Sequence, residues 1–277
     1  KLDISNSNIY KTYDHGISLF KTFNCGQSFR INTLDENTFE GVALGRYLSI
    51  HQENGFIYIE NCDDIIYNQV WKKYLGLDLD YNKIDNSFTS SPNFDLALSF
   101  SKGIRILKQD KFETIISFII SQNNNIPRIK KIINLLCENF GDKIEENNHI
   151  YYTFPSVEVI NNLSLEDLSV IKAGFRAKYI LDAADKIKNN IININYINTL
   201  TYDMAKEELK KIKGIGNKVA DCVLLFGFSY YNAFPKDVWI NRIMDLLFNG
   251  EDGEKLFGEF AGIAQQYLFY YAHENKI

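Results

Sequence analysis

The sequence predicts an α+β chain, with an antiparallel sheet in residues 1–100 followed by an all-helical region over residues 101–277. Three observations carry this expectation. Short runs of alternating apolar and polar residues, broken by turn residues, fill the first part, and apolar residues at helical spacing fill the second. Within the second part, a Gly-x-Gly turn between two helical stretches forms a helix-hairpin-helix over residues 205–226. With 277 residues, 45% of them hydrophobic, the chain can bury a core sufficient for two domains or one large one.

In chain order, FNCGQSFRI, NTFEGVALG, RYLSIHQ and ENGFIYIEN are the expected strands, the last opened by an Asn54-Gly55 pair suited to a two-residue hairpin turn. Ile65 to Leu75 has helical spacing, and the aspartate-rich stretch from Asp78 to Asn86 reads as a loop. From Ser90 onward the texture is helical, with helices expected over Asn93 to Lys102, Lys111 to Ser121, Ile126 to Phe140, Val157 to Asn162, Leu165 to Ala173 and Arg176 to Lys188. Ala205 to Ile212 and Val219 to Phe226 flank the hairpin, and two further helices end near His273.

The net charge of −5 argues against a nucleic-acid partner until its distribution is considered. Residues 1–100 hold 8 basic and 13 acidic side chains, which leaves 22 of each in the remainder. Lys102 to Lys131 carries seven basic against two acidic residues, and Lys172 to Lys218 ten against five, a pattern that fits a phosphate-facing surface or solvated helix faces. Cys25, Cys62, Cys137 and Cys222 are scattered without metal-ligand spacing, so neither a structural zinc nor an iron–sulfur cluster nor a disulfide framework is expected. No apolar run approaches a membrane span and no signal-like leader is present, so the chain reads as soluble and intracellular, with no membrane partner and a monomer as the default state.

GIGNKVADC (214–222) carries the chemistry. Gly214 and Gly216 permit a tight turn whose N–H groups can approach an anion such as a DNA phosphate, although steric packing alone also calls for glycines there. Lys218 opens the following helix. A lysine attacks carbon only as the free amine, and a helix N-terminus next to apolar residues favours that form. Asp237, nineteen residues on in FPKDVW, reads as the N-cap of the next helix and is also apt to stabilise cationic charge developing on a sugar. Residue types alone leave Lys218 open as a nucleophile or as a phosphate-contacting surface lysine. Cys222, four residues beyond it on the same helix face, is open as a site residue or a small hydrophobe.

Seven colinear motifs, GQSFR (26–30), GIRILKQDKFE (103–113), FIISQNNNIPRI (118–129), AGFRAKYI (173–180), GIGNKVADC, FPKDVW (234–239) and AQQYLFYYA (264–272), together resemble the 8-oxoguanine DNA glycosylase/AP lyase family of the helix-hairpin-helix superfamily. The resemblance implies an N-terminal domain similar to half of the TATA-binding protein, packed on an all-helical catalytic region. It also implies an enzyme that flips oxidised guanine, preferably opposite cytosine, out of double-stranded DNA, excises it through a lysine Schiff base and nicks the strand by β-elimination. By the same resemblance Lys218 is the nucleophile and Asp237 its carboxylate partner. Gly26 offers its carbonyl to the N7–H that only the oxidised base has, Cys222 and Phe269 sandwich the base, and Gln265 binds its Watson–Crick edge. Asn123, Arg128 and Arg176 contact the estranged cytosine, with Phe175 as the wedge. Gly214, Gly216 and Trp239 face the DNA backbone. No cofactor is implied, although hairpin carbonyls can hold a monovalent or divalent cation.

Three positions depart from the family pattern: Phe175 stands for a usual tyrosine, Trp239 for a common histidine, and Lys213 for the proline that usually precedes the hairpin, a change expected to loosen the turn. A pyrimidine-damage glycosylase/lyase of the endonuclease III type is the nearest alternative in chemistry, but such relatives carry a C-terminal four-cysteine cluster and only one cysteine follows Lys218 here. An alkyl-purine glycosylase shares the N-terminal architecture but works without the lysine. A non-catalytic helix-hairpin-helix DNA-binding protein is the alternative outside enzymology.

Overall fold

The structure, a computed structural model, describes residues 8–88 and 92–277; the expected helical onset at Ser90 lies outside the described residues. Strand β1 (Ile9–Tyr13) and helix α1 (Leu19–Asn24) lead into β2 (Ile31–Thr33), β3 (Thr38–Ala43), β4 (Arg46–Glu53) and β5 (Phe56–Glu60). These five strands form one antiparallel sheet in the order β1-β5-β4-β3-β2. Three of the four expected strand regions hold their strands, and the Asn54-Gly55 turn has both residues at positive φ, 51° and 80°. The alternation of β5 puts Ile57 and Ile59 into a core with Phe39, Leu48 and Ile50, closed by Trp71 and Tyr74. Those two aromatics lie on a helix continuous from α2 (Asp64–Ile66) through a π turn (Tyr67–Trp71) to α3 (Lys72–Tyr74).

FNCGQSFRI is not a strand. Ser18 caps α1 by accepting from the Lys21 N–H, and the chain then turns at Gly26, whose φ is +78°. Gln27, fully buried, substitutes for a ladder: its Nε2 donates to the Thr22 and Arg105 carbonyls at 3.0 and 2.8 Å, and its Oε1 accepts from the Leu107 N–H at 2.9 Å. The expected loop at Asp78–Asn86 holds α4 (Tyr81–Ser87), capped by Asp80; Tyr81, Ile84 and Phe88, at helical spacing, enter the helical core.

Helices α5 (Asp95–Ser101), α6 (Lys111–Ser121) and α7 (Ile126–Phe140) follow. A hairpin of β6 (Lys143–Glu146) and β7 (His149–Tyr152) then interrupts the otherwise helical region, turning at Asn147 and Asn148, both at positive φ. After α8 (Val157–Asn161), the expected helix at Leu165–Ala173 is a 3-10 turn, Asp167–Ile171. The remaining helices are α9 (Ala177–Lys188), α10 (Tyr202–Lys210), α11 (Asn217–Phe228), α12 (Val238–Phe248), α13 (Gly253–Phe257) and α14 (Ala261–Glu274). Their apolar stripes share a second core in which α11, α6 and α14 are central, with Val223, Leu224, Ile115, Ile119 and Tyr267 fully or almost fully buried. Among the described residues no helix is long and apolar enough to cross a membrane.

Candidate active site and nucleic-acid interface

Gly216 is the N-cap of α11 and offers no side chain to its first turn, so Lys218 stands second in a helix whose leading N–H groups are open to an anion. Its amine lies 5.9 Å from the centre of the Phe118 ring, and its charge is felt at the Cys222 thiol. Asp237 caps α12, its Oδ1 accepting the Ile240 N–H at 2.8 Å. Burial pushes the Cys222 thiol up to about 11, against the pull of the Lys218 charge and with the push of Asp221 and Asp237. Cys222 is therefore a neutral packing surface that feels both the amine and the Asp237 carboxylate.

Those residues share one cavity of about 500 Å3, whose walls also include Gly26, Gln265, Phe269 and Trp239. The volume is in the range of small-molecule sites and admits a nucleobase. Gly26 reaches this wall through two clamps: Gln27 as described, and Gln266, whose Nε2 donates to the Cys25 carbonyl at 2.6 Å. A Cβ at Gly26 would stand 3.5 Å from the Phe269 ring, and the φ of +78° is strained for any L side chain. Gln265, 4% exposed, donates from Nε2 to the Pro235 carbonyl at 3.0 Å, while its buried Oε1 has no partner among the described residues. A buried acceptor left unpaired at a cavity wall is costly unless a ligand donates to it.

Behind Phe269, His273 stacks with ring centroids 6.0 Å apart, and Trp239 meets His273 edge-on at 5.6 Å. Trp239, expected at the DNA backbone, also lines the cavity. His273, Gln266, Pro235 and Phe118 were not singled out from sequence. His273 carried a usable signal, since it continues the Gln265–Phe269 spacing by one more i+4 step.

Phe175 and its neighbours form a separate cluster. Phe175 is 48% exposed and edge-on to Tyr179, and Asn123 is exposed at φ +46°. Asn124 and Asn125 shape their loop, the first by donating to the Ile120 carbonyl and the second by capping α7. The two arginines differ. Arg128 is exposed, with no ion pair among the described residues, whereas Arg176 is 3% exposed and donates to the carbonyls of Gln122, Asn123 and Ala173. Burial, and then the nearby Arg128 charge, lower the Arg176 guanidinium pKa, so the two side chains lie within electrostatic reach. In this conformation Arg176 clamps the loop bearing Asn123, and Arg128 is the free donor. Arg176→Ala is accordingly expected to lower thermal stability by about 2 kcal/mol or more, because it removes the side-chain donors of the Gln122 and Asn123 carbonyls, while Arg128→Met leaves the melting temperature unchanged.

The four cysteines are free and buried, and among the described residues no group of three or more His, Cys, Asp or Glu side chains could hold a metal ion. The family model for the 8-oxoguanine DNA glycosylase N-terminal domain matches residues 9–115, and that for the HhH-GPD superfamily of base excision DNA repair proteins matches residues 116–259. The N-glycosylase/DNA lyase of Saccharomyces cerevisiae is 38% identical over 184 residues, 62% of this chain and 49% of the yeast protein, so the chain spans about half the length of that relative. A probable N-glycosylase/DNA lyase of Methanothermobacter thermautotrophicus is 34% identical over 220 residues, 69% of this chain and 70% of its own length. The crystal structure of Clostridium acetobutylicum 8-oxoguanine glycosylase/lyase with double-stranded DNA containing cytosine opposite 8-oxoG superposes with a TM-score of 0.93, at 38% identity and covering 98% of this chain and 97% of that one.

Proposed function

Because the chain belongs to the 8-oxoguanine DNA glycosylase/lyase family within the HhH-GPD superfamily, we propose that it excises 8-oxoguanine lying opposite cytosine in duplex DNA and then cuts the strand as a lyase. One observation carries the reading: an amine, a carboxylate, two flanking surfaces and an unpaired buried acceptor meet in a single base-sized cavity.

The damaged nucleotide leaves the stack and enters this cavity, since C1′ is out of reach in a paired duplex. Its base lies between Cys222 and Phe269, and the Gln265 Oε1 accepts from the donor edge of a guanine-type base. The Gly26 carbonyl accepts the N7–H of the oxidised base; undamaged guanine offers a lone pair there and would leave the carbonyl unpaired. The Lys218 nitrogen then bonds to C1′ as the C1′–N9 bond breaks and the base departs with that electron pair. Asp237 stabilises the positive charge that gathers on the sugar. Ring opening gives a Schiff base, loss of a C2′ proton breaks the C3′–O bond, and hydrolysis releases Lys218. Water enters at that last step, the acting side chains are those of one copy of the chain, and the reaction as proposed calls on no cofactor. Phe175 fills the gap in the stack, and the exposed Arg128 donors meet the acceptors of the estranged cytosine.

Single-turnover cutting of duplexes carrying 8-oxoguanine opposite cytosine or adenine, thymine glycol, or undamaged guanine tests the reading. Cutting is expected at 8-oxoguanine, faster opposite cytosine, and Arg128→Met should narrow the cytosine-to-adenine ratio by about tenfold, the worth of one charged hydrogen bond. Preference for thymine glycol would overturn the substrate, and an unchanged ratio the role of Arg128.

A further inference from the structure

The hairpin that presents Lys218 rests on one face of α9, and we propose that Asp182 on that face is a positioning residue whose carboxylate latches the hairpin through the Lys213 N–H and so sets the grip on DNA phosphates. The proposal rests on the glycosylase reading above. Tyr179, Asp182 and Lys186 share this face at helical spacing. The Tyr179 ring packs so closely on Gly214 that a Cβ there would lie 2.4 Å from a ring carbon. Beside it, Asp182 Oδ2 accepts the Lys213 N–H at 2.8 Å and the Lys186 Nζ at 2.9 Å, with the Lys213 Nζ 3.5 Å from Oδ1. Lys186 also donates to the Lys211 carbonyl at 2.6 Å, tying the end of α10 to the same carboxylate.

Burial works against the Asp182 charge, yet the Lys213 N–H and the two ammonium groups outweigh it and hold this carboxyl below the usual range. The turn is therefore not loosened by the lysine at position 213. A proline there would fix φ and carry no N–H to satisfy; a lysine frees φ and exposes a donor, and Asp182 takes up both consequences. Phe175, in the 3-10 turn Gly174–Arg176 that leads into α9, meets Tyr179 edge-on, so the wedge and the hairpin both contact that ring.

Electrostatics and the latch make opposite predictions. A carboxylate beside a phosphate-binding turn repels DNA, so removing its charge alone should tighten binding. Loss of the latch should weaken it. Asp182→Ala is expected to lower affinity for a duplex carrying a tetrahydrofuran abasic analogue about tenfold, as for loss of a charge-assisted hydrogen bond. Cutting at saturating duplex should remain within about twofold of wild type. Lys213→Pro in the same chain should restore affinity to that of Lys213→Pro alone. Equal or tighter binding by Asp182→Ala, a lowered melting temperature with unchanged affinity, or a double variant no better than Asp182→Ala would each overturn the latch. A wild-type protein that binds this duplex but cuts no damaged one refutes the glycosylase reading instead, and the binding series then still decides the role of Asp182.

Discussion

Replacing Lys218 by glutamine is expected to abolish strand cutting, by a factor on the order of 10^4 or more, with binding of the damaged duplex preserved. Glutamine leaves a flexible polar side chain, one atom shorter and uncharged, at the second position of α11, so the fold and the hairpin should be undisturbed. What disappears is the only amine that the described residues bring to the cavity wall, since the other lining residues there are apolar, amide, hydroxyl, thiol, indole, imidazole and carboxylate groups. A non-catalytic DNA-binding protein would lose one cation among many and cut nothing in either form. Gel-resolved single-turnover cutting beside an anisotropy titration of the same duplex separates these cases; a variant that cuts at the wild-type rate would remove Lys218 from the mechanism.

Asp237→Asn should slow excision by about 10^2- to 10^3-fold, the usual worth of one well-placed charge in a transition state, with stability unchanged within about 1 kcal/mol. The contrast arises because Asp237 does two jobs. As the N-cap of α12 it accepts the Ile240 N–H, a role that asparagine fills equally well. As the carboxylate of the cavity it supplies a negative charge that asparagine lacks. Asp237→Ala loses both and should cost about 0.5–2 kcal/mol of stability in addition. Melting curves and excision rates for the pair decide the matter: if Asp237→Asn excises normally, capping is the whole function of the residue.

Local signals made part of this molecule readable. The alternation in β5 and the Asn54-Gly55 turn announce a hairpin because register and turn chemistry are encoded within a few residues. The same rule misleads at residues 23–31, where the odd-numbered Phe23, Cys25, Gln27, Phe29 and Ile31 are all buried. That burial, which Ser28 already breaks out of alternation, is satisfied by a helix end and a side-chain clamp to Arg105 and Leu107, some eighty residues away, which no local pattern records. The α4 helix was hidden by its aspartates and asparagines, and only three residues at helical spacing betray it.

The site divides in the same manner. Lys218 and Asp237 stand at helix starts that their own neighbours define, so they could be found by physical reading alone. Gly26, Gln265 and Phe269 could be connected only through family resemblance, because the contact that joins their segments, Gln266 to the Cys25 carbonyl, spans 241 residues. Arg128 and Arg176 look alike in sequence; the tertiary fold alone buries one in carbonyls and leaves the other free. The Asp182 latch was likewise invisible, since its acceptor and donor lie 31 residues apart on different helical segments.

Borohydride reduction of the wild-type protein during turnover of an 8-oxoguanine duplex, followed by mass spectrometry of the cross-linked peptide, bears most directly on the amine and carboxylate that meet around the base. The expected product is a single DNA adduct on the Lys218 nitrogen. An adduct on another lysine, or no adduct while the duplex is cut, would contradict the account.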